Sequence, residues 1–230
     1  LEHIKFTDTV GVSEVYYPTP ASFSIPKWYK NMESYLELKK IPNLGKNTAT
    51  IKRCMPVFDV ITSGYIIYSY VDVYVSSKDN QPFYEWPSYD PIQFHPIWQA
   101  PDLPNNTGHT VAYPKWINPW SITTPKGYST LVVPPFHRES IFTILPGVVD
   151  TDKYISPINF PFVLNDVNFT GFIPAGTPIA QVIPFKRTSW KMDISSFDPN
   201  NTDVLKVHNL LRSKMFDSYK TIFRQVKEYK

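Results

Sequence analysis

The sequence predicts one mainly β domain that ends in an amphipathic α-helix, and three observations carry that prediction. Aromatic residues make up 16% of the chain, and 23 prolines stand against only 8 glycines. Proline blocks helix interiors, so this composition favours strands joined by rigid extended connections. Short β-branched or apolar runs recur between turn formers across the middle of the chain, which is the pattern of an all-β fold. After Trp190 the period of the apolar residues changes from two to three or four, the signature of one helical face.

Taken in order, residues 1–47 read as an extended N-terminal arm with a short helical turn. Pro18 to Lys40 carries two proline-bounded stretches that lead to the aromatic pair Trp28 and Tyr29. Residues 48–197 read as the β core. Thr48 to Arg53 is expected as a strand that stops at Cys54-Met55-Pro56. Tyr65 to Val75 is expected as one long strand, with Tyr65, Ile67, Val71, Val73 and Val75 on one face and Ile66, Tyr68, Tyr70 and Tyr74 on the other. Both faces are apolar or aromatic, so that strand should be covered on both sides. From Ser76 to Pro119 the prolines, aromatic residues and turn formers, including Pro104-Asn105-Asn106-Thr107-Gly108, predict loops holding hairpin pieces and short edge strands. Further strands are expected at Ser129 to Val133, Ile141 to Leu145, Phe160 to Leu164 and Ile179 to Ile183, punctuated by turns such as Pro146-Gly147 and Pro174-Ala175-Gly176.

Residues 198–230 read as the helix. Thr202 or Asp203 is placed to cap it, since a side-chain oxygen there can accept from the free first-turn amides. Val204, Val207, Leu211, Met215, Tyr219, Ile222, Val226 and Tyr229 then form one stripe to the chain end, broadened by Leu210, Phe216 and Phe223. Packing on its own domain and binding a partner or a second copy both remain open for this stripe.

Charge and cysteine content exclude several classes. The net charge of +3 provides no sequence-wide field for nucleic acid. Much of the excess lies in the tail, where Lys206, Arg212, Lys214, Lys220, Arg224, Lys227 and Lys230 oppose Asp203, Asp217 and Glu228. A solvated helix face is the plain reading of that run. The single cysteine, Cys54, excludes an internal disulfide framework and a cysteine-rich zinc site, and on an apolar strand end it reads as a buried small residue. No apolar run reaches membrane-span length and no signal-peptide pattern opens the chain, so a soluble protein is expected. Residue 1 is Leu1, so some N-terminal sequence is expected to precede it.

Candidate chemistry is sparse. His3, His95, His109, His137 and His208 are scattered with no close metal-ligand spacing, so no metal is expected. No nucleophile-elbow, phosphate-loop or dinucleotide motif occurs, and the poverty of glycine argues against a loop that cradles phosphate with backbone amides. Trp116, Trp120, Tyr128 and Trp190 could stack bases or sugars, but their neighbours are mainly Pro, Ile, Asn and Thr, which favours core or interface packing. A carbohydrate or small-ligand site on Trp116, Trp120 and Trp190 is the weaker alternative.

The stretch from Tyr128 to Arg187 carries a resemblance. Pro146-Gly147-Val148-Val149-Asp150-Thr151-Asp152-Lys153-Tyr154 resembles the G-[ILV]-I-D-x-D-Y-R-G segment of the dUTPase and dCTP deaminase superfamily, whose fold is the β-clip. Pro174-Ala175-Gly176-Thr177-Pro178-Ile179-Ala180-Gln181-Val182-Ile183 is similar to its G-x-R-I-A-Q-L strand, in the family's order and close to its spacing. The resemblance implies a β-clip-like, dUTPase-like distorted barrel or sandwich. It would make Asp150 the carboxylate that orders the attacking water and Gln181 a phosphate contact, with His137 and Arg138 as anion binders and magnesium as cofactor under that enzyme reading alone. The departures are substantial. The phosphate-binding P-R-S-[SG] segment becomes Pro135-Phe136-His137-Arg138-Glu139-Ser140, the Arg-Gly after the Tyr becomes Ile155-Ser156, and the Arg before I-A-Q becomes Pro178. The glycine-rich C-terminal motif is missing. More broadly, Ile25-Pro26-Lys27-Trp28-Tyr29-Lys30, Thr62-Ser63-Gly64-Tyr65, Asn118-Pro119-Trp120 and Pro157-Ile158-Asn159-Phe160-Pro161-Phe162 resemble a family of phage and bacterial proteins that brings no known activity.

The expectation is therefore a phage-associated β-clip protein without catalysis, a virion structural, assembly or binding component found in the host cytoplasm or the virion. It would act through protein partners or self-association, a homotrimer by analogy with the superfamily, and use no cofactor. The alternative is a deoxynucleotide pyrophosphatase-like enzyme with Asp150 positioning water.

Overall fold

A computed structural model describes residues 2–12, 14–36, 48–99, 112–196, 198–213 and 218–230. The strands are β1 (Lys5–Asp8), β2 (Thr19–Pro20), β3 (Tyr65–Tyr68), β4 (Val73–Lys78), β5 (Gln81–Glu85), β6 (Ile92–Pro96), β7 (Ala112–Trp116) and β8 (Trp120–Thr123) in the first half. The second half adds β9 (Tyr128–Val133), β10 (Phe142–Ile144), β11 (Gly147–Val149), β12 (Phe160–Leu164), β13 (Gly171–Ile173) and β14 (Pro178–Lys186). The helices are α1 (Lys27–Asn31), α2 (Met55–Ile61) and α3 (Thr202–Ser213). All strand pairing between these elements is antiparallel.

The strands form four small sheets, ordered β11-β9-β14-β3-β2, β10-β12-β7-β6, β13-β4-β5 and β1-β8. All four contribute side chains to one core, which includes Ile67, Val73, Val75, Trp116, Ile122, Phe142, Phe162, Leu164, Ile173 and Val182. Trp116, Phe142 and Phe162 meet as a triplet, each pair of rings with centroids 5.2 to 5.3 Å apart. The predicted mainly β architecture holds, and each of the four strands expected between Ser129 and Ile183 is present. The hairpin expected after Ser76 forms between β4 and β5, where Asp79 and Asn80 both take positive φ, 53° and 59°. Two such residues in succession are the conformation that a twisted two-residue hairpin loop demands.

Several expectations are corrected. Thr48 to Arg53 is not a strand: Ile51–Arg53 is a 3-10 turn and Cys54-Met55-Pro56 opens α2. The Thr50 side chain accepts from the Lys52 amide at 3.3 Å, and its hydroxyl donates to the Glu33 carbonyl, so local capping wins over β propensity. Proline in the first turn of α2 loses no helical hydrogen bond. The buried small residue expected at Cys54 is instead an exposed thiol.

Tyr65 to Val75 is two strands in two sheets. Buried Ser69 breaks it: its amide donates to the Thr177 carbonyl at 2.8 Å, its hydroxyl to the Val71 carbonyl at 2.7 Å, and its carbonyl accepts from Gly176 at 2.7 Å. These bonds replace the ladder and turn the chain from β3 into β4. β3 is covered on both faces, as expected, whereas β4 buries only Val73 and Val75.

The C-terminal helix exists but does not reach the chain end. Asn201 caps α3, its side chain accepting from the Val204 amide at 3.2 Å, one residue before the expected Thr202. Every described residue from Thr188 to Asn209 is exposed, so this part of the stripe does not pack on its own domain. Met215 and Phe216 lie outside the described residues. A π-helical turn follows at Tyr219–Phe223, and residues 224–230 run without helix. Tertiary contacts set that conformation against helical propensity. Arg224 Nη2 meets Asp59 at 2.7 Å, Lys227 Nζ meets it at 3.0 Å, and the Tyr229 ring packs edge-on to Tyr65 at 5.9 Å. No described helix is long and apolar enough to cross a membrane.

Candidate functional site

Asp150 sits in the turn after β11, beside the start of β9 and the end of β14. Antiparallel pairing of β9 with β14 sets Lys186 opposite Tyr128, and the next residue, Arg187, donates its amide to Gly127 at 2.8 Å. Its guanidinium thereby reaches the turn. Nη1 donates to Asp152 Oδ1 at 2.9 Å, Asp150 Oδ1 at 3.1 Å, Ser129 Oγ at 3.0 Å and the Tyr128 carbonyl at 2.8 Å, while Nη2 closes on Asp152 Oδ2. Ser129 Oγ donates to Asp150 Oδ1 at 2.7 Å, and the Gly127 amide to Asp152 Oδ2 at 2.8 Å. Between the two carboxylates, buried Thr151 joins its hydroxyl to those of Thr124 and Thr130 at 2.7 and 2.9 Å.

The electrostatics follow from this clamp. The Ser129 hydrogen bond, then the Arg187 charge and hydrogen bond, hold the Asp150 carboxyl below the usual range. Hydrogen bonds from Arg187 and the Gly127 amide pull Asp152 down to about 2. Both stay ionised at neutral pH, and a carboxylate so stabilised is a weaker base than a free one. The Asp150 side chain is nonetheless 54% exposed, whereas that of Asp152 is 3% exposed. Arg187 was not singled out as a site residue from sequence. The only available signal was an arginine directly after a strand, opposite a D-x-D turn.

Gln181 is 1% exposed in the centre of the five-stranded sheet, opposite Val133 on one side and Ile66 on the other. Its amide nitrogen donates to the carbonyls of Val60 at 3.0 Å and Ser63 at 2.6 Å, and its oxygen accepts from the Phe136 amide at 3.1 Å. It ties the end of α2 and the β9 exit to β14. Asp150 bonds at Ser129 and Gln181 lies opposite Val133, four residues further along β9, which is roughly 13 Å of strand. The fold does not bring these two residues together.

His137 and Arg138 lie in the loop after β9. His137 holds φ at 54°, and its carbonyl accepts from the Trp28 indole at 2.7 Å. Arg138 Nη2 donates to the Ser24 carbonyl, Nε is buried without a partner, and burial lowers the pKa of the guanidinium. Both residues thus fasten the N-terminal arm to the core. Arg138 also lines a groove of about 530 Å³ with Lys27, Trp28, Pro135, Glu139 and the whole of β10.

The tryptophans divide. Trp116 and Trp120 are core residues with no face for a sugar or base, which removes the alternative ligand site that used them, while Trp190 is 92% exposed. His109 lies outside the described residues. Among the described residues no three His, Cys, Asp or Glu side chains come together to hold a metal ion.

No protein-family model matches the sequence, and no curated protein sequence matches it. Among solved structures, the chain is similar to the dUTPase of Staphylococcus bacteriophage 80alpha with dUpNHpp, at 10% identity and a TM-score of 0.38, covering 85% of this chain and 99% of that one. It is similar to the dUTPase of S. aureus phage phi11, at 9% identity and a TM-score of 0.37, covering 86% and 99%. EIAV dUTPase matches at 12% identity and a TM-score of 0.33, covering 60% of this chain and 86% of that one.

Proposed function

We propose that this protein is a non-catalytic phage-associated component, serving virion structure, assembly or binding through protein contacts. The observation that carries the reading is the commitment of Gln181: all three of its hydrogen bonds go to the protein's own backbone. A side chain so engaged has no donor to spare for a phosphate oxygen without giving up a buried bond. Asp150, about 13 Å along the strand, is engaged by Ser129 and Arg187 in turn. Exposed apolar side chains at Trp190, Met192, Ile194, Val204 and Leu205 supply a surface for self-association or for partners. The test is turnover of the deoxynucleoside triphosphates, with and without magnesium, alongside sedimentation of the purified chain. The expected result is no hydrolysis together with self-association or a stable partner complex. Hydrolysis of any one of them above the uncatalysed rate would end this reading.

The alternative is a deoxynucleotide pyrophosphatase, and one observation favours it: Asp150 is ionised and its side chain half exposed, so it can still orient a water molecule. Magnesium would enter with the phosphates of the substrate. In that case D150N removes turnover while the Arg187–Asp152 pair keeps the turn folded.

A further inference from the structure

The segment from Thr188 to α3 leaves the domain and comes back to it. At one end Arg187 is fastened to Gly127, Asp150 and Asp152. At the other, Ser218 is buried again and Arg224 and Lys227 hold Asp59. Between these anchors Trp190, Met192, Ile194, Val204, Val207 and Leu211 are 41% to 92% exposed. The first three fall on every second residue, and the last three, at spacings of three and four, share one face of α3. An apolar arm anchored at both ends is built to be covered.

The sequence of the arm selects what covers it. Residues 188–213 carry Lys191, Lys206 and Arg212 against Asp193, Asp198 and Asp203, so the net charge is zero. An anionic membrane or a nucleic acid would call for a cationic surface, whereas a neutral segment does not repel its own copy. Read outward from the midpoint between Val207 and His208, α3 is nearly the same in both directions. Val204 mirrors Leu211, Leu205 mirrors Leu210, Thr202 mirrors Ser213, and Asp203 mirrors Arg212 with the opposite charge. A helix of that kind is self-complementary when two copies pack antiparallel about a two-fold axis through the midpoint. Val204 of one copy is then level with Leu211 of the other, and the acidic start of each helix lies beside the basic end of its mate, which the helix dipoles also favour. At roughly 100 Å² for each aliphatic side chain and about 200 Å² for the tryptophan, one arm buries on the order of 700 Å². Two arms bury about 1,400 Å², within the range of a stable interface.

We propose that residues 188–213 form an isologous dimer contact, α3 packing antiparallel on α3 of a second copy. The proposal rests on reading the chain as a binding component and names the second copy as what this surface binds.

The test uses the full chain. Sedimentation should show a monomer–dimer equilibrium that follows protein concentration, and V207E should weaken it by about a hundredfold or more. Val207 lies on the exposed face, so the urea midpoint of the V207E monomer should match that of the wild type. Register is read by disulfide trapping in a C54S background, since Cys54 is an exposed thiol. V204C mixed with L211C should give a cross-linked dimer under mild oxidation. V204C alone should not, because antiparallel packing sets its two copies roughly 10 Å apart along the axis, beyond the ~7 Å that a disulfide spans. A monomer or a trimer at every concentration, a dimer that V207E leaves intact, or a V204C chain that cross-links to itself would each overturn the proposal. A monomer without turnover removes the arm contact and leaves the binding reading to a different protein. Turnover of a nucleotide removes the binding reading and leaves the cross-linking result to decide the arm.

Discussion

Replacing Gln181 by Met separates a structural clamp from a ligand contact. Methionine nearly matches the length and volume of glutamine, so the cavity cost stays small and the hydrogen bonds dominate the change. Three bonds are lost, to Val60, Ser63 and Phe136. The Val60 carbonyl keeps a second donor in the Ser63 amide at 3.4 Å, but the Ser63 carbonyl and Phe136 amide lose their partner. At about 1 kcal/mol for each bond, with an added desolvation cost for groups left buried, Q181M should destabilise by about 2–4 kcal/mol. With a urea slope of about 3 kcal/mol/M, a reasonable value for a chain of this size, the midpoint falls by about 1 M. Equilibrium urea unfolding followed by tryptophan fluorescence measures this directly. A loss below about 0.5 kcal/mol would refute the reasoning, and if it came with weakened binding of a triphosphate, Gln181 would be a ligand contact after all.

Gly64→Ala should be among the most damaging single changes, because at φ +69° an added Cβ would stand 2.1 Å from the backbone oxygen of Val182. We expect a loss of at least about 4 kcal/mol, read as a large fall in urea midpoint or no folded protein at all. Asp152 titrates at about 2 in the fold against an ordinary 3.8, so its contribution to stability is complete above that ordinary value and is lost as pH falls through about 2. Urea midpoints of the wild type should therefore drop between about pH 5 and pH 2, and D152N should be less stable at the upper end and flatter across the range. R224M removes one of the two cationic partners of Asp59, whose burial favours the neutral acid but whose hydrogen bonds from Arg224 and Lys227 outweigh it and lower the pKa. Trypsin should then cut at Lys220 and Lys227 faster than in the wild type, with no change in the circular dichroism of the β core.

The β character, the strands of the second half and the hairpin after Ser76 were legible because alternation and turn residues act locally. Residues 48–75 were less so. Thr50, Pro56 and Ser69 each offer the backbone a hydrogen bond or a constraint that competes with the ladder, and which one prevails depends on Glu33, Thr177 and Gly176, distant in sequence. Asp150 and Gln181 could be picked out by type and spacing, yet spacing along a chain says nothing about what already occupies a side chain. Arg187 and the backbone of Ser63 decide that. The C-terminal stripe reads as helix throughout, but the pull of Asp59 on Arg224 is a contact across 165 positions, beyond any periodicity.

The packing of Tyr65 also has a temporal side. Its ring touches Phe6 at 5.3 Å and Tyr229 at 5.9 Å, and its hydroxyl donates to the Lys230 carbonyl, 165 positions downstream. At roughly 5–20 residues per second, a ribosome needs on the order of ten to thirty seconds to travel that far. Throughout that interval the aromatic surface that Tyr229 will cover stands open on the nascent chain. Until residues 229 and 230 have been made, that aromatic face is one that a holding chaperone can bind.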